Sequence, residues 1–147
     1  MRALSANIPA RSFAVNAIGP TLVARNVVAI LPRDRKTVFA ALSSRVSSLN
    51  DNQSGGWHAY RVSKASLNML IRDIAIEFSV RNKNAVCAAL HPGTVNTALS
   101  RPLQAGVAPG KLFSPNQNAT YLSGVIDRLG PDQPGSLIAW DGRVIPF

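Results

Sequence analysis

The sequence predicts an α/β fold, an incomplete Rossmann-like three-layer sandwich with a short parallel sheet of about three strands between flanking helices. Three observations predict it. Helical patterns and short apolar runs alternate in the order helix, strand, helix, strand, helix, strand. The apolar runs are continuous rather than alternating, as in strands covered on both faces. A chain of 147 residues has room for one hydrophobic core and not two.

After a short lead-in, Arg11 to Leu31 reads as a helix, because Phe13, Ile18, Leu22, Val23, Val27, Ile30 and Leu31 return to one broad side. Pro20 interrupts it. A proline lacks the N–H that would bond the carbonyl four residues earlier, here that of Asn16. Either the helix passes through with a kink that frees this carbonyl for a water, or it begins at Pro20 with Asn16 in a turn. Polar residues from Pro32 to Lys36 then break the chain. Thr37 to Leu42 is the first strand, ending at Ser43-Ser44. Val46 to Trp57, rich in Ser, Asn and Gly, is a loop. A second helix carries Tyr60 and Lys64 and runs to about Arg81, with Val62, Leu67, Met69, Leu70, Ile74 and Phe78 on its apolar sides. Asn82-Lys83-Asn84 stops it. Ala85 to Leu90 is the second strand, closed by His91-Pro92-Gly93. An irregular stretch reaches Pro115, and a third helix spans Asn116 to Leu129 with Ser114 or Asn116 near its N-cap. Ser136 to Trp140 is the third strand, and Asp141 to Phe147 is the tail.

Composition narrows the function classes. A hydrophobic content of 46% against 16% charged residues describes a globular chain rather than a disordered one. The net charge of +9 invites a nucleic-acid reading. However, the basic residues are scattered from Arg2 to Arg143, with Arg33-Asp34-Arg35-Lys36 their densest group and no aromatic-interleaved stripe. Small anionic phosphates or an acidic partner suit that pattern better. His58 and His91 have no ligand partners at metal spacing, so no metal site is expected. The lone Cys87, in an apolar run, is expected to be a buried small hydrophobe. No apolar run is expected to reach the roughly 20 residues of a membrane helix. Asn7 and Pro9 interrupt the stretch after Arg2, making it a poor secretion signal, so a cytoplasmic location is expected.

The most reactive-looking stretch is Tyr60-Arg61-Val62-Ser63-Lys64. Tyr60 and Lys64 are one helical turn apart on the same face. A phenol ionises near pH 10 when unperturbed, and a fixed ammonium beside it favours the phenolate. Such a pair can move protons; it can equally be an ordinary surface pair. Trp57 just before it either borders a substrate or packs into the core.

The order of motifs resembles the short-chain dehydrogenase/reductase family: Asn16-x-x-Gly19, a strand ending in Ser43-Ser44, Tyr60-x-x-x-Lys64, and His91-Pro92-Gly93-Thr94-Val95-x-Thr97. The stretches Ser43-Ser44-Arg45-Val46, Ser54-Gly55-Gly56-Trp57, Ser63 to Met69 and Trp140-Asp141-Gly142 resemble its C-factor-like branch. The resemblance implies an NAD(P)-dependent oxidoreductase that interconverts carbonyls and alcohols by hydride transfer. It implies that Tyr60 is the general acid or base, and that Lys64 lowers the phenol pKa and holds the nicotinamide ribose. Ser44 would bond the substrate oxygen. The Asn16 carbonyl would hold a water on the proton path. Pro92, Gly93, Val95 and Thr97 would meet the nicotinamide end. Ser44 lies 16 residues before Tyr60 and Ser47 lies 13 before it, the commoner family spacing; Ser44 is chosen because it ends the strand, and Ser47 is the lesser candidate. Homo-oligomers through residues 11–31 and 60–81 follow from the same resemblance. In this branch non-catalytic signalling or interaction is the alternative to catalysis.

The family's glycine-rich strand–turn–helix, which receives the pyrophosphate on a helix N-terminus, has no counterpart among these ten glycines. By resemblance the chain is the carboxyl-terminal half of a Rossmann-fold reductase, truncated by roughly a hundred residues at about 30 per strand–helix–strand unit. On that basis the strand at Thr37 to Leu42 is expected to have an open edge, and the chain alone is expected to bind cofactor weakly. The stretch from Leu99 to Gly110 carries no chemistry that names a substrate.

Overall fold

The computed structural model describes residues 7–147. The first helix begins at Asn7, not Arg11: α1 (Asn7–Phe13) holds Pro9 in its first turn, where a missing N–H breaks no bond. The surroundings of Arg2 lie outside the described residues. A widened π turn over Ala14–Ile18 follows, in which the Gly19 N–H donates to the carbonyl of Ala14, and α2 (Gly19–Val27) continues into a tight turn at Val28–Ile30. Of the two readings of Pro20, the helix therefore passes through it. The extra residue in that turn absorbs the missing N–H and the ring's clash with the preceding turn. Because the helix is continuous, Pro9–Ile30 is long and apolar enough by length and composition to cross a membrane, which corrects the expectation about apolar runs. Its buried side, with Ala17 and Ala24 at 2% and 1% exposure, packs along the next helix.

Strand β1 (Thr37–Leu42), helix α3 (His58–Arg81) and strand β2 (Ala85–His91) form where the periodicity places them. Helix α4 (Pro115–Arg128) starts at Ser114, whose Oγ accepts the Gln117 N–H at 3.2 Å; Ser114 is thus the N-cap of the two candidates. Strand β5 is Leu137–Ala139. In the stretch expected to be irregular, β3 (Thr94–Val95) and β4 (Leu112–Phe113) pair in parallel, enclosing a tight helical turn at Arg101–Gly106. The tail supplies β6 (Val144–Ile145).

The main sheet has the order β1-β2-β5-β6, its first three strands parallel and β6 antiparallel. So the three parallel strands are joined by a fourth that the tail's short, turn-rich sequence did not announce. The alternation of β2 divides the core. Ala85, Cys87 and Ala89 face α3 with Leu67, Ile71, Ala75 and Phe78, while Val86, Ala88 and Leu90 face α4 with Val125 and Leu129. Leu67 and Ile71 are wholly buried, and truncating either to alanine is worth about 2–5 kcal/mol. Cys87 is buried at 1% exposure.

β1 is an outer strand. The N–H groups of Thr37 and Ser43 point toward β2, donating to Asn84 O at 3.1 Å and Leu90 O at 2.7 Å. The intervening residues Val38 and Ala40 therefore turn their backbone groups to the open side.

Candidate active site

The carboxyl end of β1 and the first turns of α3 meet at one place. β1 runs straight into Ser43 and Ser44, and a single tight turn at Arg45–Ser47 follows. α3 opens with Trp57 at φ 45°, in the left-handed region, after Gly55 and Gly56 at φ 60° and 70°. Arg61 holds this entry: its Nε donates to Gly55 O and Gly56 O, its Nη1 to Val46 O at 2.8 Å, and its guanidinium lies 5.9 Å from the Trp57 ring centre. Trp57 is 53% exposed, so its ring lies at the surface beside Arg61 rather than in the core.

Tyr60, one turn into α3, faces Ser44. Burial raises the phenol pKa, and the Ser44 side chain beside it acts in the opposite direction. Lys64, only 9% exposed, donates from Nζ to the Leu42 carbonyl at 2.8 Å, with Nζ 5.9 Å from the Tyr60 ring centre. Burial lowers the lysine's pKa. Lys64 is not among the causes that set the direction at Tyr60 in this structure. The ammonium is turned to a backbone carbonyl, desolvation dominates at Tyr60, and Ser44 alone opposes it.

The two candidate serines have different tasks. Ser47, 4% exposed, accepts from Asn68 Nδ2 at 2.7 Å and donates to the Ser44 carbonyl at 2.5 Å. Its hydroxyl is fully engaged inside the protein, whereas that of Ser44 faces the phenol. Asn16 arrives from the π turn: its Nδ2 donates to Ser63 Oγ at 3.1 Å, and Ser63 Oγ donates to Tyr60 O at 2.9 Å. This contact is made by the side chain of Asn16, one residue from Lys64 along α3.

The segment from β2 leaves beside Ser43, because Leu90 pairs with Leu42. Gly93 has φ 74°, and a Cβ there would stand 2.8 Å from Phe113 Cε2 and 3.0 Å from Trp140 Cδ1. Only glycine fits both the backbone and the aromatic contact. The Pro92 carbonyl accepts from Asn118 Nδ2 at 2.5 Å, Val95 lies in β3, and Thr97 is exposed beyond it. Ser44, Tyr60 and Lys64 thereby meet at the end of β1, and Asn16 reaches the same helix through Ser63. Pro92, Gly93, Val95 and Thr97 follow the adjacent strand, on the same side of the sheet's carboxyl ends.

Sequence reasoning missed Asn68, Ser43 and Ser63 as parts of this site. The signal for Asn68 was the spacing Tyr60, Lys64, Asn68, each four apart and so on one helical face. Chemically, a phenol backed by a hydroxyl and flanked by a buried ammonium can exchange a proton with a carbonyl or alcohol oxygen.

The chain is similar to known proteins in family and fold. Residues 3–120 match the family described as Enoyl-(Acyl carrier protein) reductase. C-signal of Myxococcus xanthus is 33% identical over 138 residues, covering 94% of this chain and 78% of its own. The 1-hydroxy-2-glutathionyl-2-methyl-3-butene dehydrogenase of Rhodococcus sp. is 32% identical, covering 93% of this chain and 58% of its own. Among solved structures, the carbonyl reductase Sniffer of D. melanogaster superposes with a TM-score of 0.86 at 20% identity, over all of this chain and 60% of its own. A carbonyl reductase from Pseudomonas aeruginosa PAO1 superposes at 0.75 with 28% identity, over 59% of its own length. The chain thus spans well under two thirds of that dehydrogenase and of both reductases. By motif order, fold and these matches, the chain belongs to the short-chain dehydrogenase/reductase family.

Proposed function

We propose that the chain carries the proton-transfer side of an NAD(P)-dependent oxidoreductase acting on a small carbonyl or alcohol. The observation that supports this best is the convergence of Ser44, Tyr60 and Lys64 at the carboxyl end of β1. In this reading Tyr60 protonates the carbonyl oxygen, Ser44 holds that oxygen, and Asn16 maintains the proton path behind Lys64. Lys64 and Tyr60 hold the nicotinamide ribose, while Pro92, Gly93, Val95 and Thr97 border the nicotinamide. The cofactor supplies the hydride. Reductases of similar structure from chicken fatty liver and from Pseudomonas aeruginosa PAO1 carry NADPH and NADP respectively, which favours such a cofactor. Among the described residues no glycine-rich turn links a strand to a helix N-terminus, so only the nicotinamide end finds candidate contacts here. A dinucleotide-binding half pairing along β1 would complete the site.

Self-association belongs to the same proposal, in a cytoplasmic setting. Val15, Ile18 and Leu22 of the first helical stretch and Val62, Met69, Ile76 and Val80 of α3 are all at least half exposed. Together they offer apolar surface a second copy can cover.

The test is carbonyl-dependent oxidation of NADH and NADPH by the purified chain, alone and with a family dinucleotide-binding half supplied. Tyr60→Phe is expected to lower the rate by at least about 100-fold. An unchanged rate in that variant sinks the reading. The second reading, a non-catalytic signalling or interaction fragment, is favoured by the 78% coverage of C-signal. It predicts no cofactor binding and no Tyr60-dependent rate in either preparation.

A further inference from the structure

We infer that Asn68 is a positioning residue for the Ser44–Tyr60 pair, acting through Ser47; the inference rests on the reading of that pair as the proton-transfer site.

Tyr60, Lys64 and Asn68 form a stripe along one face of α3, and they engage three successive residues at the end of β1. Lys64 Nζ donates to Leu42 O at 2.8 Å, Asn68 Oδ1 accepts from Ser43 Oγ at 2.6 Å, and Tyr60 faces Ser44. From Asn68 the bonds run in one direction. The Ser43 hydroxyl donates to the amide oxygen, the amide nitrogen donates to Ser47 Oγ at 2.7 Å, and Ser47 spends its single proton on the Ser44 carbonyl at 2.5 Å. Turning the amide over would make Ser47 donate to Asn68 and leave nothing for Ser44. So the orientation of one amide decides whether the Ser44 carbonyl receives the Ser47 hydroxyl as a second donor.

The network is buried: Asn68, Ser43 and Ser47 are 1%, 3% and 4% exposed, beside the apolar Leu67 and Ile71. An apolar side chain at residue 68 would avoid desolvating an amide but would leave the buried Ser43 hydroxyl without its acceptor. What the polar choice provides is direction. The Ser44 carbonyl also accepts the Ser47 N–H at 3.0 Å, so the tight turn is clamped twice and Ser44 is fixed in an extended conformation, φ −155° and ψ 144°. That clamp fixes the backbone of the residue whose side chain lies beside the phenol.

The chain has two tyrosines, Tyr60 and Tyr121, so in a Tyr121→Phe background the phenolate absorbance reports Tyr60 alone. Asn68→Leu is expected to raise the Tyr60 pKa by about one unit, as the Ser44 carbonyl loses its second donor. Ser47→Ala is expected to raise it equally, and Ser44→Ala to abolish any further effect of either. Ser43→Ala, which leaves the Asn68–Ser47–Ser44 path intact, is expected to move it little. A merely structural network predicts instead that all these variants lose stability while the titration stays in place. Folded Asn68→Leu and Ser47→Ala proteins with an unmoved Tyr60 titration overturn the inference. If Asn68→Leu does not fold, the contrast between Ser47→Ala and Ser43→Ala decides. The titration needs neither cofactor nor substrate. A moved pKa without reductase activity therefore sinks the proposed function and leaves this inference standing.

Discussion

His91 closes β2 between the arms of two charged groups, and its imidazole is kept neutral down to about pH 4. Burial is the main cause; the Arg45 guanidinium adds to it and Asp141 opposes. Its Nδ1 is buried and has no hydrogen-bond partner among the described residues. The unfolded chain takes up this proton near pH 6.5, so between about 6.5 and 4 the unfolded state binds more protons than the folded one. Stability is therefore expected to fall as the pH drops through that window, by up to about 3 kcal/mol from this group. Urea unfolding at a series of pH values checks it, and His91→Asn should flatten the slope; an unaltered slope assigns it elsewhere. At this scale the sequence named candidate residues for the site. Tyr60, Lys64 and a serine of the Ser43–Ser47 stretch were all legible by type and spacing. Ser44 was preferred to Ser47 from its place at the end of the strand, against the spacing to Tyr60; what surrounds each serine is set only once α3 is docked.

Elements were legible where one periodicity ruled. β1, α3 and β2 form within a residue or two of where their apolar patterns place them. The pattern was less informative at the first helix, since a proline can end a helix or be absorbed by a wider turn, and packing on α3 selects the second. β3 and β4 are two residues each, too short for any periodicity, and exist because the chain returns to itself across the Phe113–Trp140 contact, with ring centres 4.6 Å apart. Gly93 is the hinge of that return. Gly93→Ala is expected to destabilise the chain by about 2–4 kcal/mol, since it adds both left-handed strain and a methyl group against two rings. Thermal or urea unfolding measures this, and a cost under about 0.5 kcal/mol, as at an ordinary surface site, would mean the aromatic contact yields freely.

At the scale of the whole molecule, two surfaces have no partner among the described residues: the outer edge of β1 and the apolar outer faces of the first helical stretch and α3. If a second copy covers the helical faces, Met69→Glu with Ile76→Glu is expected to abolish self-association in sedimentation. Each site should change monomer stability by only about 0.5 kcal/mol, because both side chains are already exposed. Sedimentation that is monomeric before and after the change removes that interface. The alternation of helix and apolar run, the two-faced burial of the strands and the chemical identity of the site residues were determined by the sequence alone, because they depend on local spacing and residue type. Only the tertiary structure decided that Ser44 meets Tyr60, that Lys64 turns to a strand carbonyl, and that Asn68 links Ser43 to Ser47. Each of those contacts joins residues distant along the chain, and distance in space is set by how α3 docks on the sheet.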